Sequence, residues 1–216
     1  MTIETRDTAT EWYGPEGAPA VVLLHDWMGR LPWITSFGER LAAEGFRVAI
    51  PDLFDGRTTK DDGEAAALLQ ERVADMEGAF RIVADTLGEA RAGGSERAAL
   101  VGFSMGSAIA LGYAGQGSVD AVVAYYGSSR SDGVVPRMPV LFQLAETDDW
   151  DDKESPEEFE QRLREEGHDT VTLTYYEGAV HGFQNEQIAK RYDADASAKA
   201  WRSTLAFLRE HLGAAD

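Results

Sequence analysis

The chain has 216 residues, the length of one large domain, and carries 38 acidic against 20 basic side chains for a formal net charge of −18. The absence of cysteine excludes a disulfide scaffold, thiolate-ligated zinc, iron–sulfur ligation and a cysteine nucleophile. So negative a field argues against a nucleic-acid partner, and no apolar run approaches the roughly 20 residues of a membrane helix. Met1–Pro19 lacks the basic and apolar regions of a signal peptide. The expectation is therefore one domain spanning residues 1–216, cytoplasmic, off the membrane, and a monomer or small homo-oligomer. The acids are densest from Glu146 to Glu160 and read as a solvated surface, with salt adaptation as the alternative.

Taken in chain order, the apolar runs are Ala20–Leu24, Arg47–Ile50, Ala98–Val101, Ala121–Tyr125, Pro139–Leu144 and Val171–Tyr176. They are short and nearly continuous, as strands covered on both faces should be. Helical patterns alternate with them. Leu69, Val73, Met76, Phe80, Val83 and Leu87 predict one helical face. Ser155-Pro156-Glu157-Glu158 predicts an N-cap, a proline at the first helical position and a capping-box glutamate, opening a helix that buries Phe159 and Leu163. Trp201, Leu205, Leu208 and Leu212 predict a last amphipathic helix. Such alternation specifies an α/β fold, a mostly parallel sheet with helices on both faces. The breaker between Gly127 and Pro139 is too short to hold a lid domain.

The strongest chemical signal is Gly102-Phe103-Ser104-Met105-Gly106, directly after one strand and before a helical run. That is the setting of a nucleophile elbow, which lifts a serine out of the sheet on a sharp strand-to-helix turn. Its bland rival is a glycine-rich turn of any doubly wound sheet. A serine hydroxyl needs a base, expected C-terminal to it after an acid. Of the four histidines, His25 precedes the elbow, while His168 and His211 fall at helix positions that suit solvated roles. His181 follows the strand Val171–Tyr176 in the loop Glu177–Phe183, where parallel sheets place catalytic groups. The orienting acid should leave the preceding strand, which offers Asp148, Asp149 and Asp151. An oxyanion would be held by the Met105 amide and a second amide from the loop after the first strand, for which Trp27 is the candidate.

Together these segments resemble the dienelactone hydrolase family of α/β-hydrolases. His25-Asp26-Trp27-Met28-Gly29 stands where the family has a His-Glu-x-x-Gly pattern. Leu41–Phe46, Ile50–Phe54, the elbow, Ala124-Tyr125-Tyr126-Gly127, Ala145–Asp148 and Tyr176–Phe183 follow in family order. The resemblance places the family's acid on Asp148 rather than Asp149. The family's best-known members carry a cysteine nucleophile and an early-loop glutamate; here Ser104 and the shorter Asp26 stand instead, leaving Asp26 either beside the nucleophile or as a structural cap. The resemblance also implies a substrate-binding arginine four residues after the histidine. This chain has Asn185 there, which points to neutral substrates unless Arg72 or Arg81 supplies the charge.

The expected activity is hydrolysis of a small ester or lactone through Ser104, His181 and Asp148, with no cofactor and no metal. The alternatives are a broad carboxylesterase or thioesterase and a non-catalytic ligand-binding domain. A calcium module on the acids around Asp148 lacks the ligand spacing of a calcium loop.

Overall fold

The alternating apolar runs become a seven-stranded sheet with helices on both faces in the computed structural model, which describes residues 3–5, 7–127, 136–149, 156–168 and 170–213. Strand β1 (Glu4–Thr5) stands apart, pairing antiparallel with a later short strand. Strand β2 (Glu11–Tyr13) leads to β3 (Ala20–Leu24), helix α1 (Pro32–Ala43), β4 (Arg47–Ile50) and β5 (Arg57–Thr58), the partner of β1. Helices α2 (Asp62–Ala74) and α3 (Met76–Ala92) precede β6 (Ala98–Phe103), α4 (Met105–Ala114) and β7 (Ala121–Tyr125). The chain continues through β8 (Val140–Thr147), α5 (Pro156–Glu165), β9 (Val171–Val180) and α6 (Ala194–Leu212).

Sheet order is β2-β4-β3-β6-β7-β8-β9, parallel throughout except that β2 runs antiparallel to β4. Strands β3, β6 and β7 are buried along their whole length, which explains their unbroken Val, Leu and Ala. Period-two alternation divides β3 between two cores. Val21 and Leu23 pack with Ile34 and Phe37 of α1 and Leu208 of α6. Ala20, Val22 and Leu24 pack with Val83 of α3 and Ile109 of α4 on the opposite face.

Two sequence expectations change. The single helical face from Leu69 to Leu87 is two helices, broken at Asp75 (φ −127°, ψ 58°), whose carboxylate caps α3 by accepting from the Gly78 N–H at 2.9 Å. Val73 on that face is exposed because α2 ends beside it. Strand β9 runs on to Val180, so the expected loop Glu177–Phe183 is mostly strand, paired to β8 across a register shift between Ala145 and Thr147. Phe159 and Leu163 are buried as anticipated, while the proposed cap Ser155 and the candidate acid Asp151 lie outside the described residues.

Behind the carboxyl ends of the strands, a buried polar cluster ties three strands to α6. Tyr125 of β7 and Thr204 of α6 share a hydrogen bond of 2.7 Å. Gln143 of β8 donates to Thr204 Oγ1 at 3.0 Å and to the Ala200 carbonyl at 3.1 Å, and accepts from the Tyr176 hydroxyl of β9. Every member gains a partner, which is what makes such a cluster tolerable away from water.

Candidate active site

Ser104 sits between β6 and α4 at φ 54° and ψ −113°, a strained conformation for a residue with a side chain. The flanking glycines make it reachable. A Cβ on Gly106 would lie 2.1 Å from the Leu24 carbonyl oxygen, and one on Gly102 would lie 2.3 Å from the Gly106 carbonyl oxygen. Only bare backbone fits where helix meets strand this closely. The elbow thus holds the Ser104 hydroxyl above the carboxyl ends of the central strands.

Strands β8 and β9 deliver the other two groups. Asp148 follows β8 directly and His181 follows β9 directly. Ser104 Oγ lies 2.8 Å from His181 Nε2, and His181 Nδ1 lies 2.8 Å from both carboxylate oxygens of Asp148. An ionised carboxylate can only accept, so Nδ1 carries the proton and Nε2 is left to accept from the serine. Asp149 is exposed and Asp148 alone of the described acids in this run is bonded to the imidazole. The structure therefore brings together the serine, histidine and acid named from the sequence. His25 is wholly buried and structural: its Nε2 accepts from the Leu53 N–H at 3.1 Å, and burial pushes it down to about 4. His168 departs from its solvated expectation, since its side chain is only 5% exposed, beside Glu166. His211 packs on Phe207.

A narrow cleft opens at Ser104 and His181, lined also by Asp26, Trp27, Tyr126 and Arg191. Trp27 follows β3, and Met105 opens α4, where an N–H has no acceptor within its own helix. Asp26 is 5% exposed and its carboxylate accepts from the Met28 N–H at 2.9 Å and from the Asn185 amide at 3.3 Å. Burial pushes it up to about 6, opposed by those two hydrogen bonds and by the charges of His181 and Arg191. It therefore caps the turn after β3 and faces the cleft as well. Asn185 is buried, lines the cleft and is engaged with Asp26.

Neither arginine considered from the sequence lines this cleft. Arg72 is directed to Asp75, and Arg81 is an exposed side chain near Asp75 and Glu77. The cation that does line it is Arg191, which the sequence reading missed. It lies ten residues beyond His181 in an irregular stretch, 3.3 Å from the Asp62 carboxylate and 5.7 Å from the Trp27 ring. Among the described residues no three His, Asp or Glu side chains cluster as a metal site would require, and no helix is long and apolar enough to cross a membrane.

Comparison with known proteins agrees with this architecture. A model of the dienelactone hydrolase family matches residues 9–212. The chain is 28% identical over 208 residues to the protein usf of Aquifex pyrophilus, covering 91% of this chain and 90% of that one. It is 26% identical over 214 residues to a putative carboxymethylenebutenolidase of Aquifex aeolicus, covering 94% and 90%. A solved dienelactone hydrolase-like promiscuous phosphotriesterase from metagenomic libraries shares the fold, with a TM-score of 0.79 at 22% identity over 98% of this chain and 99% of that one. With the family pattern spanning nearly the whole described sheet and both cores, the chain belongs to the dienelactone hydrolase family, hydrolases of the α/β-hydrolase superfamily.

Proposed function

We propose that the protein cleaves small ester or lactone substrates by acyl transfer to Ser104. The observation that carries this reading is the unbroken relay of 2.8 Å contacts from Ser104 Oγ through His181 to Asp148. His181 Nε2 takes the serine proton as Oγ attacks the carbonyl carbon, and Asp148 stabilises the imidazolium that forms. The developing oxyanion is held by the Met105 and Trp27 amides. Preorganised donors of this kind are worth roughly 3 kcal/mol each. The imidazolium then protonates the departing alkoxide, which a lactone keeps tethered to the acyl group. Water, deprotonated by the same imidazole, releases the acid and restores Ser104.

Substrate charge follows from the cleft walls. Arg191 is already paired with Asp62, and Asp26 adds a negative charge once ionised. A carboxylate on the substrate would compete with Asp62 for the guanidinium and face Asp26, so neutral acyl groups suit the cleft better.

A fluorophosphonate probe tests the assignment, because only a base-activated hydroxyl attacks phosphorus quickly. Label confined to Ser104, and lost in Ser104→Ala, is the expected result. Label on another serine of an active preparation would overturn it.

A further inference from the structure

Tyr126 lines the cleft but takes no part in the relay. It follows β7 at φ 36°, a conformation that a bulky side chain enters only when its surroundings force it. Its N–H donates to the Gln143 carbonyl at 2.8 Å, which anchors the backbone there. The ring is 1% exposed and packs 5.1 Å from the His181 ring and 5.3 Å from the Phe183 ring. Yet the phenol oxygen is buried with no hydrogen-bond partner among the described residues. The buried phenol at the end of β7 contrasts with it: Tyr125 is bonded to Thr204. Burial, with the charge of Asp26 adding to it, pushes the Tyr126 phenol well above its ordinary value, so it stays a neutral donor.

A buried hydroxyl without a partner destabilises a folded protein, whereas a phenylalanine of the same shape would not. An orphaned donor beside the nucleophile and base therefore calls for an acceptor that arrives with the ligand. The geometry points to Tyr126 as a specificity-determining residue: its hydroxyl donates to a second oxygen of the substrate, one carried by the acyl group beyond the scissile ester. The substrate class is thus an ester or lactone whose acyl part bears an ether, keto or ring oxygen, rather than a plain alkanoate. This inference rests on Ser104 being the nucleophile.

The test is a double comparison. Wild type and Tyr126→Phe are assayed on 4-nitrophenyl esters in matched pairs, each with oxygen replaced by a carbon isostere: methoxyacetate against butanoate, and 4-oxopentanoate against 4-methylpentanoate. Intrinsic reactivity cancels when the oxygen-to-carbon ratio of kcat/KM is compared between the two proteins. A neutral hydrogen bond lost to the variant should shrink that ratio roughly tenfold for at least one pair. The thermal midpoint of Tyr126→Phe should equal or exceed that of wild type. If no pair changes its ratio by more than about twofold, the phenol does not read the substrate. A variant that fails to fold, or melts well below wild type, assigns the phenol a structural role and likewise overturns the inference. Fluorophosphonate labelling of both proteins separates the two failures. Unlabelled Ser104 in wild type sinks the nucleophile, while labelled Ser104 with unchanged ratios sinks only Tyr126.

Discussion

The elbow and the sheet edge support the same relay by opposite means. Strand β6 is buried along its whole length, and the turn after it leaves no room for a Cβ at either flanking glycine. Strand β9 pairs with β8, mixes buried, half-buried and exposed positions, and has open space beside Gly178 at φ +76°. Ser104 is held by backbone contacts within the core, which permit one geometry. His181 and Asp148 are held at their side chains, by the hydrogen bonds they make with each other. Precision at the elbow is therefore a property of packing, and precision at the edge is a property of the relay.

The largest expected effects break the relay while leaving packing alone. Ser104→Ala should lower kcat on the order of 10⁶-fold. Asp148→Asn should lower it by roughly 10⁴-fold, because an amide cannot stabilise the imidazolium and can hold the wrong tautomer. Asp149→Asn should stay within a few-fold of wild type; steady-state kinetics on one neutral ester compares all three, and a crippled Asp149→Asn would move the acid by one residue. The next effect breaks packing instead. Gly106→Ala drives a methyl into the Leu24 and His25 carbonyls and should cost at least about 3 kcal/mol in denaturant unfolding. Gly178→Ala meets nothing and should cost only about 1 kcal/mol, the left-handed backbone penalty. Equal losses at the two glycines would erase the distinction between elbow and edge.

A third prediction concerns two neighbours at the end of β3 that burial shifts in opposite directions. Asp26 is raised from 3.8 to about 6, so the folded state holds its proton more tightly than the unfolded chain does. Stability therefore falls as pH rises from about 4 to 6, by about 3 kcal/mol in total from this group. His25 is lowered from 6.5 to about 4, so the unfolded chain takes the proton first and stability falls as pH drops through that same range. The two contributions oppose one another between pH 4 and 6. Urea unfolding at pH 4.5 and 7.5 should show Asp26→Asn gaining on wild type at the higher pH and losing that advantage at the lower one. A stability difference that does not change with pH would mean Asp26 is ionised in both states. The smallest expected effect is on substrate choice: a neutral methyl ester of a dienelactone should exceed its free acid in kcat/KM by about tenfold, since Arg191 is engaged with Asp62. Preference for the acid would show that the guanidinium leaves Asp62 for the substrate.

The buried strands were legible because a strand covered on both faces must be continuously apolar, and Ala20–Leu24, Arg47–Ile50 and Ala121–Tyr125 match their observed bounds. The meeting of Ser104, His181 and Asp148 was legible because turn chemistry and strand ends are local signals, although the choice of Asp148 over Asp149 came from family resemblance. The break at Asp75 was hidden by a hydrophobic spacing that continues across it; the Asp-x-x-Gly capping pattern was the available signal. The extension of β9 through Glu177-Gly178-Ala179-Val180 carries no apolar run, and pairing with β8 alone creates it. Arg191 and the orphaned Tyr126 hydroxyl depend on which distant segments meet at the cleft, and no local pattern encodes that meeting.

The polar cluster joining Tyr125, Gln143 and Tyr176 to Thr204 has a consequence for synthesis. On the ribosome, β7 and β8 are translated well before α6, so the Tyr125 hydroxyl and Gln143 amide exist for a time without Thr204. Until α6 docks, closing the sheet would bury those groups unsatisfied, at roughly 1 to 3 kcal/mol each. Asp148 and His181 directly follow strands that await this helix, so the contacts among Ser104, His181 and Asp148 form late in the nascent chain. Truncation within α6 should accordingly release a chain whose elbow sequence is complete but whose relay is unformed.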